Sequence, residues 1–86
     1  MSQAWELVLH REAARTFFNC RNSERRRLES VLDSLTTNPG QSFVAEVKDA
    51  TGRSNRVVEC GRWSIVYWLD DFVKEVRVVS IERDAG

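Results

Sequence analysis

The sequence predicts an α+β fold in which a helical hairpin packs on one face of a small, mainly antiparallel sheet, in the order β-α-α-β-β-β-β. Apolar residues recur at helical spacing in one block between positions 11 and 35, whereas they alternate at a spacing of two in the segments that follow. Helices that come as a single block are typical of α+β proteins. Because 86 residues leave room for one hydrophobic core, we predict a single domain over residues 1–86.

The first strand and the first helix are predicted from a change of apolar spacing. Residues 4–9, AWELVL, alternate as a strand does. From residue 11 the spacing becomes helical, and Phe17 and Phe18 contribute to one apolar face that ends near Cys20. The first helix is therefore expected to be short and amphipathic.

The second helix has a start signal, an apolar stripe and a stop signal. Asn22 and Ser23 are both good N-cap residues. Pro39 ends the helix, because the residue before a proline avoids helical dihedral angles. The apolar stripe between these signals has the spacing i, i+3, i+4, i+7 and consists of Leu28, Val31, Leu32 and Leu35.

Four further strands are predicted where the apolar spacing becomes two. Turn-forming residues separate them, notably Gly52 and Gly61. The expected strands cover residues 43–49, 55–60, 63–70 and 75–83.

The two faces of this sheet follow from the expected hairpin register. With a turn at residues 61–62 and Leu69 beside Val76, one face packs under the helices. That core face carries Val58, Cys60, Trp63, Ile65, Tyr67 and Val78. The opposite face, here called the open face, carries Asn55, Val57, Glu59, Ser64, Val66, Trp68, Arg77, Val79 and Ile81.

No segment of the sequence remains to cover the apolar part of the open face. A monomer seldom leaves a large contiguous apolar patch in water. We therefore expect a partner chain to dock there as an amphipathic helix or an extended segment. The alternatives are shielding by sheet twist, loops and tail, or pairing of two copies as a homodimer. The residues expected to bind the partner are Val57, Val66, Trp68, Arg77, Val79 and Ile81.

The formal net charge is zero, which argues against a protein that coats nucleic acid by bulk charge. Eleven of the thirteen basic residues are arginines, so local basic spots or charge pairing with a partner are expected. Arg21 and the run from Arg25 to Arg27 form a basic ridge, which is interpreted as a solvated helix face with ion pairs such as Arg25–Glu29; RNA binding by this ridge is the less favoured alternative.

Two kinds of site are not expected. Cys20, Cys60 and a single histidine do not have the spacing of a zinc site, so we predict no metal and no cofactor. No apolar run is long enough to span a bilayer and no secretion signal is evident, so we predict no membrane association and a cytoplasmic location.

The ordered set of motifs resembles the RelE/ParE superfamily, the toxins of bacterial type II toxin–antitoxin modules. The matching stretches are WELVL at the start, A-x-x-x-F in the first helix and L-x-x-V-L-x-x-L-x-x-NP in the second. GRSNRVVECGRWSIVYWLDD and EVRVVSIERD complete the set, which covers nearly the whole chain. The resemblance implies an antitoxin partner that lies across the open face.

The same resemblance leaves the cellular target open. Some members of the superfamily cleave mRNA on the ribosome, others poison DNA gyrase, and some are inert. The mRNA-cleaving members hold phosphate with basic residues that converge on the open face and need no metal. The implied functions are thus translation inhibition by a metal-independent endoribonuclease, a gyrase-directed toxin without nuclease chemistry, or a degenerate, non-catalytic partner-binding member.

Several basic positions of the nuclease pattern are altered in this sequence. Asn55, Val57 and Ser64 stand where basic residues are expected. The resemblance leaves Arg56 and Arg83 as the catalytic candidates. The remaining candidates for contact with phosphate or RNA are Lys48, Arg53 and Arg62.

Overall fold

The computed structural model describes residues 5–41 and 43–84, and its element order confirms the predicted β-α-α-β-β-β-β arrangement. Ala4, where the first strand was expected to begin, and Ser42 lie outside the described residues. The elements are β1 (Glu6–Leu9), α1 (Arg11–Asn19), α2 (Asn22–Thr37), β2 (Ala45–Lys48), β3 (Ser54–Cys60), β4 (Trp63–Asp70) and β5 (Glu75–Arg83).

The five strands form one sheet in the order β1-β5-β4-β3-β2. β1 is parallel to β5, and every other neighbouring pair is antiparallel, which confirms the mainly antiparallel prediction. Gly61 takes a φ of 61° in the turn between β3 and β4, a conformation that glycine adopts without steric cost. The helical hairpin carries the chain over one face of the sheet, from β1 at one edge to β2 at the other, and β5 later inserts beside β1 as its parallel neighbour.

The helical hairpin covers one face of the sheet and builds the core there. Leu28, Leu32 and Leu35 of α2 are buried, as the stripe predicted. They pack with Ala13 and with the strand residues Val58, Cys60, Ile65, Tyr67, Val76, Val78 and Ile81. Among the described residues, no helix is long and apolar enough to cross a bilayer.

Phe18 does not join this core, and its predicted place on the buried face of α1 is wrong. Its exposed fraction is 65%. Phe17 packs against the core, and Phe18 is one position further around the helix, which turns its side chain outward. The two rings still meet edge to face, with centroids 5.3 Å apart.

A β-bulge in β5 places Ile81 in the core, so its predicted position on the open face is wrong. Val66 pairs with Ser80 and Tyr67 pairs with Val78, which leaves Val79 as an extra residue. The extra residue reverses the alternation beyond it. Ile81 therefore pairs with Ile65 on the helix side, where it is 3% exposed.

The connection between the helices is held by Arg25 rather than by side-chain N-caps. Arg21 occupies the N-cap of α2 without a capping hydrogen bond, so the predicted caps at Asn22 and Ser23 are wrong. Arg25 turns back toward the end of α1 instead of pairing with Glu29. Its guanidinium donates to the carbonyl oxygens of Phe17 at 3.2 Å, Phe18 at 3.0 Å and Cys20 at 3.1 Å. These carbonyls lie where a helix end lacks internal partners, so Arg25 acts as a C-cap from the second helix.

Candidate functional site

The open face of the sheet is not covered by a helix, as predicted, and its residues are half-buried rather than fully exposed. Val57 and Val66 are cross-strand partners at its centre. Both are partly exposed, as are Trp68, Arg77 and the bulge residue Val79. The face therefore offers aliphatic and aromatic surface to a partner, but neighbouring side chains shield part of it.

A row of polar groups crosses this face beside the aliphatic residues. Trp68 pairs with Arg77 across β4 and β5, as predicted. Asn55 precedes the Arg56–Tyr67 pair and so lies on the strand next to Trp68. We call Asn55, Trp68 and Arg77 the polar row.

Two guanidinium groups contact the indole of Trp68. The guanidinium carbon of Arg53 lies 3.9 Å from the ring centroid, and that of Arg77 lies 5.5 Å away. Arg77 also donates to Glu75 at 2.7 Å and lies 3.5 Å from a carboxylate oxygen of Asp70. Cation–π contacts of this kind are worth about 0.5–1 kcal/mol when exposed. Arg53 therefore covers an aromatic surface that a partner could contact after displacing the guanidinium.

The polar row contains three buried polar atoms without a hydrogen-bond partner in the described part of the chain. They are Asn55 Oδ1, Trp68 Nε1 and Arg77 Nε. The 3.5 Å approach of Asp70 to Arg77 Nε is an ion pair, but its geometry is not that of a hydrogen bond. A buried polar atom without a partner costs about 1–3 kcal/mol. Neighbouring side chains such as Arg53 cover these atoms, so polar groups of another molecule would reach them only by displacing that cover.

The turn between β2 and β3 positions Arg53 and Asn55 through the carboxylate of Asp49. The backbone N–H groups of Thr51 and Arg53 donate to Asp49 Oδ1 at 2.9 and 3.0 Å, and the Thr51 hydroxyl donates to the same atom. The side-chain amide of Asn55 donates to Oδ2 at 3.3 Å. The hydroxyl of Thr51 leads the hydrogen bonds that lower the pKa of Asp49 from its ordinary 3.8 to about 2, against an opposing effect of burial.

This turn is expected to loosen in acid. A carboxylate whose pKa is lowered on folding stabilises the protein above its ordinary pKa of 3.8, and that contribution is lost as the pH falls through about 2. The NMR signal of the Trp68 indole N–H should therefore move between about pH 4 and pH 2 as Arg53 leaves the ring. In Asp49→Asn the signal should already be displaced at neutral pH. Asp71→Asn, in an exposed turn, is the matched control, and an identical response in both variants would contradict the role of Asp49.

Arg56 and Arg83 do not converge on the open face, which corrects the arrangement that the nuclease resemblance implied. Arg56 pairs with Tyr67 and Arg83 pairs with Trp63, and both tyrosine and tryptophan face the helices. Their backbones are about 16 Å apart, given about 3.3 Å per residue along a strand and about 4.8 Å between strands. The Arg56 guanidinium also lies against Phe43 and the Pro39 carbonyl, toward the β2 edge, so the two side chains do not converge in this structure.

The surroundings of Arg56 fit a structural contact. Its guanidinium carbon lies 4.6 Å from the ring centroid of Phe43, and it donates to the carbonyl of Pro39 at 3.4 Å. Burial raises the pKa of Tyr67, and the nearby charge of Arg56 partly offsets that rise. The tyrosine hydroxyl has no hydrogen-bond partner among the described residues, so Arg56 is close to it without hydrogen-bonding geometry.

The other predicted basic residues are also separated from one another. Lys48 is exposed at the end of β2, on an edge of the sheet, and Arg62 is exposed in the turn after β3. Of the three, Arg53 is the one that contacts the polar row. The open face carries Asn55, Val57 and Ser64 on β3 and β4, where the nuclease pattern has basic groups.

Solved structures match this arrangement over almost the entire chain. A chain of the RelBE2 toxin–antitoxin complex from Mycobacterium tuberculosis superposes with a TM-score of 0.80 at 11% identity, covering 100% of this chain and 98% of that one. The archaeal RelE–RelB complex from Pyrococcus horikoshii gives a TM-score of 0.75 at 13% identity, covering 96% and 98%. The isolated RelE toxin of E. coli gives 0.69 at 16% identity, covering 96% and 87%. The chain has the RelE fold. No protein-family model and no curated protein matches its sequence.

Within this RelE fold, Arg83 belongs to a cleft that sequence reasoning missed. The cleft lies on the helix side, where the connection between α1 and α2 meets the start of β4 and the end of β5. It also contains Arg15 and Arg21, which are 68 and 62 positions from Arg83. No local pattern signals such a contact, because the three arginines meet only after the helices dock on the sheet.

Proposed function

We propose that this protein is the toxin-fold component of a toxin–antitoxin pair and that its open face binds the antitoxin. The fold supports the proposal, because two of the matching structures are RelE–RelB or RelBE complexes. The five-stranded sheet with one uncovered, half-apolar face supports it as well. An antitoxin segment that lies across this face would complete the second side of the sheet.

The observation that carries the proposal is the polar row, which lies beside Val57, Val66 and Val79 on the open face. A face that only needed shielding from water would be best served by aliphatic contacts. Asn55 Oδ1 instead calls for a donor, and Trp68 Nε1 calls for an acceptor. A partner that supplies both groups gains affinity and a defined register, which is the behaviour of a specific interface.

The effector activity has less support than the partner binding. Cleavage of mRNA, the activity first expected, requires basic groups that stabilise charge on one phosphate. The open face has Asn55, Val57 and Ser64 at the relevant positions, and Arg56 and Arg83 face the other way. This arrangement favours the non-catalytic, partner-binding alternative over ribosome-dependent cleavage. The gyrase-directed alternative needs no such charges and stays a prediction.

Induced expression in a bacterial host tests the proposal. The chain is expressed alone and together with the product of the neighbouring reading frame, and the two purified proteins are titrated in a calorimeter. We expect a complex of defined stoichiometry. Fragmented mRNA would assign translation inhibition, filamentation with DNA damage would assign gyrase, and normal growth would assign the non-catalytic alternative.

The molar mass of the isolated chain in solution supplies the control for self-association. A stable homodimer whose assembly is lost in a Val66→Glu variant would assign the open face to a second copy and contradict the antitoxin proposal. Failure to bind the neighbouring gene product would also contradict it.

A further inference from the structure

The cleft that contains Arg83 is large enough for a small ligand and is walled by four different elements. Its volume is about 520 Å³. Arg15 comes from α1, Arg21 from the connection before α2, Trp63 from β4 and Arg83 from β5. Clefts of this size are typical of sites for small molecules.

A second, shallower depression continues this cleft and adds to its positive charge. Its volume is about 240 Å³, and it shares Glu24, Trp63 and Arg83 with the first. Arg27 and Arg62 complete its wall. The guanidinium of Arg27 reaches the turn between β3 and β4, 3.9 Å from the position that a side chain on Gly61 would occupy.

The charge of the two depressions is unbalanced, although the whole protein is neutral. Five arginines and one carboxylate, that of Glu24, line them. Arg21, Arg27, Arg62 and Arg83 form no ion pair and donate no side-chain hydrogen bond within residues 5–41 and 43–84. Arg15 has one loose pair with Glu12 at 3.9 Å, between side chains that are mostly exposed. Guanidinium groups stay charged at any physiological pH, so this concentration of charge calls for an anion.

Among the described residues that line the two depressions, Glu24 is the one carboxylate, and it is bound to an indole. Glu24 accepts a hydrogen bond from Trp63 Nε1 at 2.7 Å. This bond fixes the indole at the boundary between the two depressions, where it lines both of them. A fixed aromatic surface beside several planar donors is the combination that recognises a base together with its phosphate.

We propose that this cleft binds a nucleoside phosphate, with Arg21 and Arg83 on the phosphate and the base against Trp63. The ligand is either a free nucleotide or one unit of a nucleic-acid strand, since both present the same chemistry. The site lies on the face of the sheet opposite the polar row. Its occupancy therefore does not depend on the proposed binding of an antitoxin.

The three tryptophans of the chain provide a direct test by NMR. Trp63 lies in the cleft, Trp68 lies on the open face and Trp5 lies beside Lys74. Adenosine 5′-monophosphate should shift the indole N–H signal of Trp63 in a saturable way and leave the other two unchanged. Adenosine without phosphate should bind at least about tenfold more weakly, because charged hydrogen bonds contribute about a factor of ten or more.

A hexa-adenylate RNA distinguishes the two sources of the ligand. Tighter binding of the hexamer than of the monophosphate assigns a nucleic-acid strand. The logarithm of its binding constant should then fall with the logarithm of the salt concentration, with a slope of about −0.7 per phosphate contact. Equal or weaker binding per site assigns a free nucleotide. Either result supports the proposal.

Substitution of two cleft arginines supplies the variant and its control. Arg21→Gln with Arg83→Gln should weaken binding of the monophosphate by about tenfold or more. Arg11→Gln with Arg26→Gln removes the same charge from exposed positions outside the cleft and should change the affinity less than about twofold.

Four results would overturn the proposal. The first is a Trp63 signal that neither nucleotide probe changes, and the second is equal affinity for adenosine and its monophosphate. The third is an equal loss of monophosphate affinity in the two double variants. The fourth is tighter binding of a hexaglutamate peptide than of the monophosphate. The last result would assign the cleft to an acidic protein segment. Binding of the antitoxin to the Arg21→Gln, Arg83→Gln variant is measured in parallel, so that a failure of one proposal is not mistaken for a failure of the other.

Discussion

Replacement of Trp68 by alanine is expected to weaken antitoxin binding by about 30- to 100-fold. Trp68 lies in the middle of the polar row, and its neighbours across the sheet are Asn55 and Arg77. Tryptophans at the centre of an interface commonly contribute about 2 kcal/mol or more, and about 1.4 kcal/mol corresponds to a factor of ten in affinity. Titration calorimetry with the neighbouring gene product measures the change.

A second substitution at the same position separates the ring from its polar atom. Trp68→Phe keeps aromatic surface for Arg53 but removes the Nε1–H, which has no acceptor in the described part of the chain. The antitoxin affinity of Trp68→Phe should lie between that of the wild type and that of Trp68→Ala. An affinity equal to that of the wild type would mean that the partner does not accept this hydrogen bond.

Phe18→Ala is the matched control for these variants. Phe18 is also an exposed aromatic residue, but it lies on α1, on the other side of the sheet. Its removal should change antitoxin affinity by less than about threefold, as substitutions outside the centre of an interface do. Equal losses for Phe18→Ala and Trp68→Ala would show that the antitoxin does not use the open face.

Local sequence signals were sufficient for most of the architecture. The alternation of apolar residues and the turn residues predicted the bounds of β4 and β5 to the residue. The stripe of leucines predicted the buried side of α2. Both signals act over a few residues, because strand and helix geometry fix which neighbours share a face.

The bulge at Val79 has a local signal that the predicted register did not use. The stretch from Val76 to Ile81 reads V-R-V-V-S-I, so the apolar alternation breaks at the adjacent pair Val78 and Val79. The bulge forms because β5 pairs with β1 on one side and with β4 on the other, and the packing of Ile81 under the helices stabilises the shifted phase. The doubled valine marks where the alternation changes phase, and the pairing with β4 shows that Val79 is the extra residue.

The position of Arg56 could likewise have been predicted, in this case from residue parity. Val58 and Cys60 were placed correctly on the core face, and Arg56 is two positions before Val58 on the same strand. The alternation alone therefore places it under the helices. The resemblance to nuclease toxins pointed to the open face, and the local rule was the better guide.

The roles of Arg25 and of the arginine cleft could not be predicted, because both depend on contacts between elements. In the sequence, Arg25 is one of three consecutive arginines and looks like a surface residue. Its task becomes visible only when α2 turns back along α1 and brings the guanidinium to the open carbonyls. Long arginine side chains make such contacts easy to form and hard to anticipate.

Replacement of Arg25 by alanine is accordingly expected to lower the free energy of unfolding by about 2–3 kcal/mol. The last turn of α1 contains no basic residue of its own, and Arg25 is the cation that donates to the negative end of that helix within the described ranges. The Cys20 thiol adds one weaker hydrogen bond, to the Phe17 carbonyl at 3.1 Å. Hydrogen bonds from a charged donor contribute about 1.5–3 kcal/mol each, and three bonds from one side chain share part of that gain. A domain of this size loses about 4–8 °C of melting temperature per kcal/mol, so a decrease of about 10–20 °C is expected.

Arg26→Ala controls for the loss of one charge and one long side chain from the same turn of α2. Arg26 is exposed and makes no side-chain hydrogen bond within the described ranges, so its removal should change the unfolding free energy by no more than about 0.5 kcal/mol. The unfolding free energy of Arg25→Lys should lie between those of Arg25→Ala and Arg26→Ala, because an ammonium group reaches fewer of the three carbonyls than a planar guanidinium does. Urea unfolding followed by circular dichroism ranks the variants. Equal stability of Arg25→Ala and Arg26→Ala would mean that the docking of the two helices, and not the guanidinium, holds the end of α1 in place.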